Sequence, residues 1–184
     1  RHGSPRIRQR VKKSMTRITI RTEKAQDYEI ITKVNDEAFG QKNEGILVKR
    51  LRKRPEFNSN LSLVAEHRGK IVGHILFFPV KIGTHTSLSL APMAVLPEYQ
   101  KQGIGTALVK EGLSRAKEEG WSSVIMVGHP EYYPRFGFSK ASNWGIKCSF
   151  EVPDEAFMAL ELATGALKGL RGTVQFPPEF LDVT

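Results

Sequence analysis

The sequence predicts an α/β domain in which helices flank a mixed sheet, and three observations carry that expectation. Strand-patterned runs at 61–67 and 71–82 enclose Arg68-Gly69-Lys70, a tight hairpin signal. An apolar strand over 87–95 then passes through a short polar turn into a helix whose start contains Gly103 and Gly105. Pro92 falls inside that strand, where it cannot donate to a ladder and so marks a bulge or an edge.

The elements follow in order. Residues 16–21 alternate Ile18 and Ile20 with Arg17 and Arg21 and read as a first strand. Residues 27–39 place Ile30, Ile31, Val34 and Ala38 at helical spacing. Residues 45–54 set Ile46, Leu47 and Leu51 against Lys49, Arg50, Lys53 and Arg54, a helix that stops before Pro55. Its basic cluster reads as a solvated face. The helix after Gly103 repeats Leu108, Val109, Gly112, Leu113 and Ala116 on one face and ends at Gly120.

Residues 123–127 form a strand parallel to 87–95. A bend at Pro92 would part the two and open a cleft at the carboxyl ends of the strands, where α/β proteins bind ligands. After Phe138 the expected elements are a strand over 145–152, a strand or short helix over 155–162, and a strand over 171–176 before Pro177-Pro178. No repeat or second-domain linker interrupts the chain, so 15–184 is expected to be one domain.

Composition narrows the function. The 184 residues are 40% hydrophobic and 26% charged, a globular balance with ample length for a core. No apolar run approaches a membrane span, and the single Cys148 rules out an intrachain disulfide, so a cytoplasmic protein without a membrane partner is expected. The net charge of +9 is uneven: residues 1–14 hold Arg1, Arg6, Arg8, Arg10, Lys12 and Lys13 and no acid. That stretch reads as a tag stub or disordered basic leader before Met15, and the remainder is only mildly basic, so nucleic acid is not the expected partner. His67, His74, His85 and His129 show no metal-ligand spacing, and no metal is expected.

The strand-to-helix junction carries the chemistry. The first N–H groups of a helix lack intrahelical partners and the dipole adds positive potential there, so Gly103, Ile104, Gly105 and Thr106 form an anion site. Gln100, Lys101 and Gln102 supply donors around the same turn. A P-loop string is absent, and a dinucleotide fingerprint fails because Leu108 stands where a third small residue belongs.

The string Gln100-x-x-Gly103-x-Gly105 resembles the acyl-CoA pyrophosphate loop of the GNAT superfamily of N-acetyltransferases. Downstream, Tyr132-Tyr133-Pro-Arg-Phe-Gly137-Phe138 resembles the family's second hallmark, a short helix carrying Tyr before Gly-Phe and a final hairpin. The tail, with residues 152–162 and 172–178, is similar to a bacterial branch of predicted acetyltransferases.

The resemblance implies a mostly antiparallel sheet splayed between its fourth and fifth strands. It implies acetyl-CoA as acyl donor, held at its pantetheine arm and thioester by backbone groups of Met93, Ala94 and Val95. Tyr133 matches the family's general acid, protonating the departing thiolate after direct attack by a primary amine in a ternary complex.

The amine acceptor, a small molecule or a protein amino group, is not specified by the sequence, nor is a homodimer. Glu37, Glu66 and His74 are candidates for the base, and Glu37, Glu44, Asp154 and Glu155 for amine recruitment. The alternative is a non-catalytic acyl-CoA binding or sensing module that keeps the loop without a working acceptor site.

Overall fold

The computed structural model describes residues 17–182, so the basic leader and Met15 lie outside the described residues. Among the described residues the order is β1 (Thr19–Thr22), α1 (Tyr28–Phe39), α2 (Asn43–Arg52), β2 (Ser62–His67), β3 (Lys70–Ile82) and β4 (His85–Val95). Then come α3 (Ile104–Glu118), β5 (Ser123–Val127), β6 (Ser139–Lys140), β7 (Ile146–Lys147), β8 (Phe157–Glu161) and β9 (Gly172–Gln175).

The sheet runs β1-β2-β3-β4-β5-β8-β6, with β9 also on β3 and β7 on β9. Strands β1 to β4 are successively antiparallel, whereas β4 and β5 are parallel. The strand β3 is buried on both faces over most of its length, which explains why its sequence reads as a continuous apolar run. One face of β3 meets α1, through His74 and Asn35, and the other meets α3. On the α3 side a Cβ added to Gly112 would stand 2.2 Å from Phe77 Cε2, so the missing side chain lets the helix settle on the ring.

The expected bulge is present. Across β3 and β4, Phe77 pairs with Leu90 but Ile75 pairs with Met93, leaving one extra residue on β4 at Ala91/Pro92, whose connecting peptide is cis. Pairing between β4 and β5 is confined to Leu88 with Val124 and Ser89 with Ile125. Beyond Ser89 the two strands separate.

The C-terminal segment differs from expectation. The strand expected over 145–152 shrinks to the two residues of β7, because its partner among the described residues, β9, pairs at Ile146 and Lys147 and the chain then leaves the sheet toward Pro153. The ambiguous 155–162 stretch is both things in turn: a 3₁₀ turn at Asp154–Ala156, then β8 antiparallel to β5. A second apolar cluster, including Val80, Ile82, Ile125, Phe157 and Val174, fixes this segment to the sheet. Among the described residues no helix is long and apolar enough to cross a membrane.

Candidate active site

Where β4 and β5 part, a cleft of about 1310 Å³ opens. Its walls are the post-bulge half of β4, the end of β5, the start of α3, the Tyr132–Tyr133 turn and, on the far side, Phe39, Glu44 and Leu47. The sequence places the opening through the extra residue at Pro92, and the physical cause is the broken ladder next to it.

At one end of the cleft stands the first turn of α3. Among the described residues the amides of Gly103, Ile104, Gly105 and Thr106 have no backbone acceptor, and the first helical bond runs from Ala107 N to Gly103 O at 3.0 Å. Lys101 (φ +61°) and Gly103 (φ +85°) both take left-handed backbone, curling the loop so that successive N–H groups converge.

At Gly103 conformation is the constraint, since an added Cβ would meet nothing within 4 Å. At Gly105 space is the constraint: a Cβ there would come to 3.1 Å from Met93 Cε and 3.5 Å from the Tyr132 hydroxyl.

Two side chains expected as anion donors are engaged elsewhere. Gln100 Nε2 donates to Val95 O at 3.0 Å, tying the loop to the end of β4. Gln102 Nε2 donates to Glu98 O at 3.2 Å, and Gln102 does not line the cleft. Both amides hold the turn in shape. The Lys101 side chain does line the cleft, together with Gly103, Ile104, Gly105 and Thr106.

Met93, Ala94 and Val95 line the cleft from β4. This stretch of β4 pairs with β3 on one edge, at Ile75, His74 and Gly73, and among the described residues its other edge, beyond the pairs at Leu88 and Ser89, has no strand partner. An extended ligand with amide groups can meet the backbone of that edge.

Tyr133 opens a 3₁₀ turn at Tyr133–Phe136 and lines the same cleft. Its amide and that of Tyr132 both donate to His129 O, at 3.3 and 3.1 Å. Only 7% of the residue is exposed, and the ring meets Tyr132 and Phe138 edge-on at centroid distances of 5.0 and 6.0 Å. Burial pushes the phenol up to about 12, with Tyr132 adding to the effect, so the group stays protonated at neutral pH.

Sequence reasoning missed Tyr132. Its hydroxyl lies 2.8 Å from Thr106 Oγ1, and Arg135 caps its ring at 4.2 Å while donating from Nε to Tyr132 O at 2.8 Å. One side chain thus joins the first turn of α3 to the turn that carries Tyr133. The doublet Tyr132-Tyr133 was the available signal.

The candidates for base and recruiter scatter. His74 is fully buried between Asn35 Nδ2 (3.2 Å, at Nδ1) and Ser62 Oγ (3.0 Å, at Nε2). Burial, with Arg52 contributing, pushes its pKa down to about 3, so it is a neutral core residue outside the cleft.

Glu66 pairs with Arg21 at 2.8 Å on β1 and β2, and Asp154 with Lys140 at 3.7 Å. Neither they nor Glu37 and Glu155 line the cleft. Glu44 does, accepting from Gln41 Nε2, and so do His129 and Glu131, which the sequence did not single out for this role. Burial raises the Cys148 thiol, which favours its protonated form. Among the described residues no group of three His, Cys, Asp or Glu side chains is arranged to hold a metal.

Residues 58–140, from the turn before β2 to β6, match the family model described as an acetyltransferase (GNAT) domain. The chain is 38% identical over 130 residues to the uncharacterized N-acetyltransferase YjhQ of Escherichia coli K12, spanning 68% of this chain and 72% of that one.

Among solved structures, the GNAT family N-acetyltransferase YhbS of Escherichia coli, crystallised in complex with CoA, superposes with a TM-score of 0.85 at 32% identity. The match covers 90% of this chain and 93% of that one. A GNAT family acetyltransferase from Brucella melitensis, crystallised in complex with acetyl-CoA, gives a TM-score of 0.74 at 33% identity, covering 90% and 99%. The expected mixed sheet, splayed beside its parallel strand pair, is the fold of these proteins, and the chain belongs to the GNAT family of acetyltransferases.

Proposed function

We propose that this chain transfers the acetyl group of acetyl-CoA to a primary amine by direct attack within a ternary complex. The observation that carries the reading is a single continuous cleft that runs from four amides without a backbone acceptor, past the open edge of β4, to the Tyr133 side chain. The related structures with CoA and acetyl-CoA support the choice of donor.

The diphosphate lies on the amides of Gly103, Ile104, Gly105 and Thr106, with Lys101 beside it. The pantetheine arm extends along the backbone of Met93, Ala94 and Val95, and a strand amide near Met93 or Ala94 polarises the thioester carbonyl. The amine lone pair adds to that carbon, and the tetrahedral oxyanion collapses with cleavage of the C–S bond. The electron pair leaves on sulfur and the thiolate takes the Tyr133 proton. The attacking nitrogen loses its extra proton to water.

A thiol near 8.5 is a fair leaving group, and the burial that raises the phenol keeps its proton in place until the thiolate forms. No covalent enzyme intermediate is required. The acceptor is a small-molecule amine or a protein amino group.

The test has two parts. Millimolar acetyl-CoA should raise the melting temperature, because binding the folded form adds its free energy to stability. A panel of primary amines should then release free CoA in the presence of the protein. Absence of any thermal shift, or CoA bound outside the cleft in a cocrystal, overturns the reading. Binding without release for every amine favours the sensing module instead.

A further inference from the structure

We infer that a pocket on the C-terminal ribbon is a second ligand site, for a small molecule carrying two or more phosphate groups. The pocket encloses about 800 Å³, within the size range of small-molecule sites, and shares no residue with the cleft. It stands on β7 and β9 and on the turns that lead into them, so it does not depend on the acetyl-transfer reading.

Its construction follows from strand alternation. In the parallel pair β7/β9, Ile146 sits opposite Gly172 and Lys147 opposite Thr173. Ile146 and Val174 point into the second apolar cluster, which turns Lys147, Arg171 and Thr173 to the outer face. Arg171 lies against Gly145, where an added Cβ would meet its Cγ at 3.3 Å, so the glycine leaves room for the guanidinium stem. Lys168 enters from the turn before β9, and the half-buried Trp144 closes a side from the 3₁₀ turn before β7.

The charge balance is one-sided. The lining holds Lys147, Lys168 and Arg171 and no carboxylate. Among the described residues none of these three forms an ion pair, whereas Arg21, Arg52, Arg54 and Arg115 each bond a carboxylate. Three uncompensated cations on one concave surface focus positive potential. A single monoanion would leave most of that charge unmatched; a diphosphate or triphosphate offers enough oxygens for both lysines and for the bidentate fork of the arginine. The flat indole of Trp144 admits a ring attached to the phosphates. Inorganic polyphosphate and nucleotides share this chemistry.

The experiment is an amide NMR titration of the labelled full chain at physiological ionic strength, first with tripolyphosphate and then with ATP, following the Trp144 indole N–H. Saturable shifts at Trp144 and across 142–147 and 168–173 are expected. The double variant Lys147→Gln/Arg171→Gln should weaken binding about tenfold or more, the scale of lost charge-assisted hydrogen bonds. Both positions are exposed, so the variant keeps its fold, and Gly105→Val in the cleft should leave this binding unchanged. Tighter binding of ATP than of tripolyphosphate supports the site and identifies a nucleotide; equal binding supports it with the phosphate chain alone. Shifts confined to the start of α3, no saturable shift, undiminished binding by the double variant, or binding of a single-stranded oligonucleotide but neither small probe would each overturn the proposal.

Discussion

Mild acid should loosen this fold through His74. The imidazole is fully buried with its Nδ1 facing an amide donor, and its pKa falls from 6.5 to about 3 in the folded chain. A depressed folded value means that the neutral form is favoured by folding. The associated stability is complete above pH 6.5 and is lost as pH falls toward 3.

Each pH unit inside that window removes about 1.4 kcal/mol, so moving from pH 7.5 to 5 costs about 2 kcal/mol out of the roughly 5–15 kcal/mol typical of a domain. Asp27 and Glu179, held below the usual carboxylate range by hydrogen bonds from Arg21 and Arg54, lose their contributions only at lower pH, which leaves this window to histidine. Urea unfolding at pH 7.5 and 5 measures the loss, and His74→Gln should be less stable but nearly flat between the two. Titration of the wild-type His74 ring protons by NMR provides the independent check. A midpoint near 6.5, or equal stability at both pH values, would refute the assignment of His74 as a buried neutral residue.

Four further outcomes are expected. Tyr133→Phe should lower kcat about 100-fold or more, the usual range for loss of a general acid, with acetyl-CoA affinity retained; it should also remove a phenol that ionises near pH 12 from an absorbance titration. Tyr132→Phe breaks the 2.8 Å bond to Thr106 and should cost about 1 kcal/mol in urea unfolding, with a fall in kcat from the loosened Tyr133 turn. Gly105→Val pushes into Met93, whose Cε already stands 3.1 Å from a Cβ there, so calorimetry should find acetyl-CoA binding weakened at least about tenfold while the melting temperature changes little. Gly112→Ala places a methyl 2.2 Å from Phe77 Cε2 and should destabilise by about 1–3 kcal/mol, read as a lower denaturation midpoint.

The sequence made most of the architecture legible up to Phe138, because the long elements there announce themselves by period and by punctuation. Pro92 within an apolar strand pointed to a bulge or an edge, and the glycines after the polar turn marked the start of α3. The tail was harder: β6 and β7 are two residues each, and such strands exist only through distant partners, β8 and β9, that no local pattern reveals. The site split the same way. Backbone features of the cleft follow from glycine and proline chemistry, whereas side-chain roles depend on three-dimensional neighbours. Gln100 turns to Val95 O, His74 turns inward to Ser62 and Asn35, and Tyr132 reaches Thr106 from 26 residues away.

The seating of Gly112 on Phe77 has a mechanical consequence. Eight residues of α3 separate that contact from Ile104, a lever arm of about 12 Å at 1.5 Å per residue. A tilt of only about 5° pivoting on the ring would swing the opening turn by about 1 Å, a misplacement large enough to change turnover about 100-fold. On the proposed reading, donor affinity and acyl alignment are therefore adjustable from deep inside the protein, by substitutions that never approach the ligand.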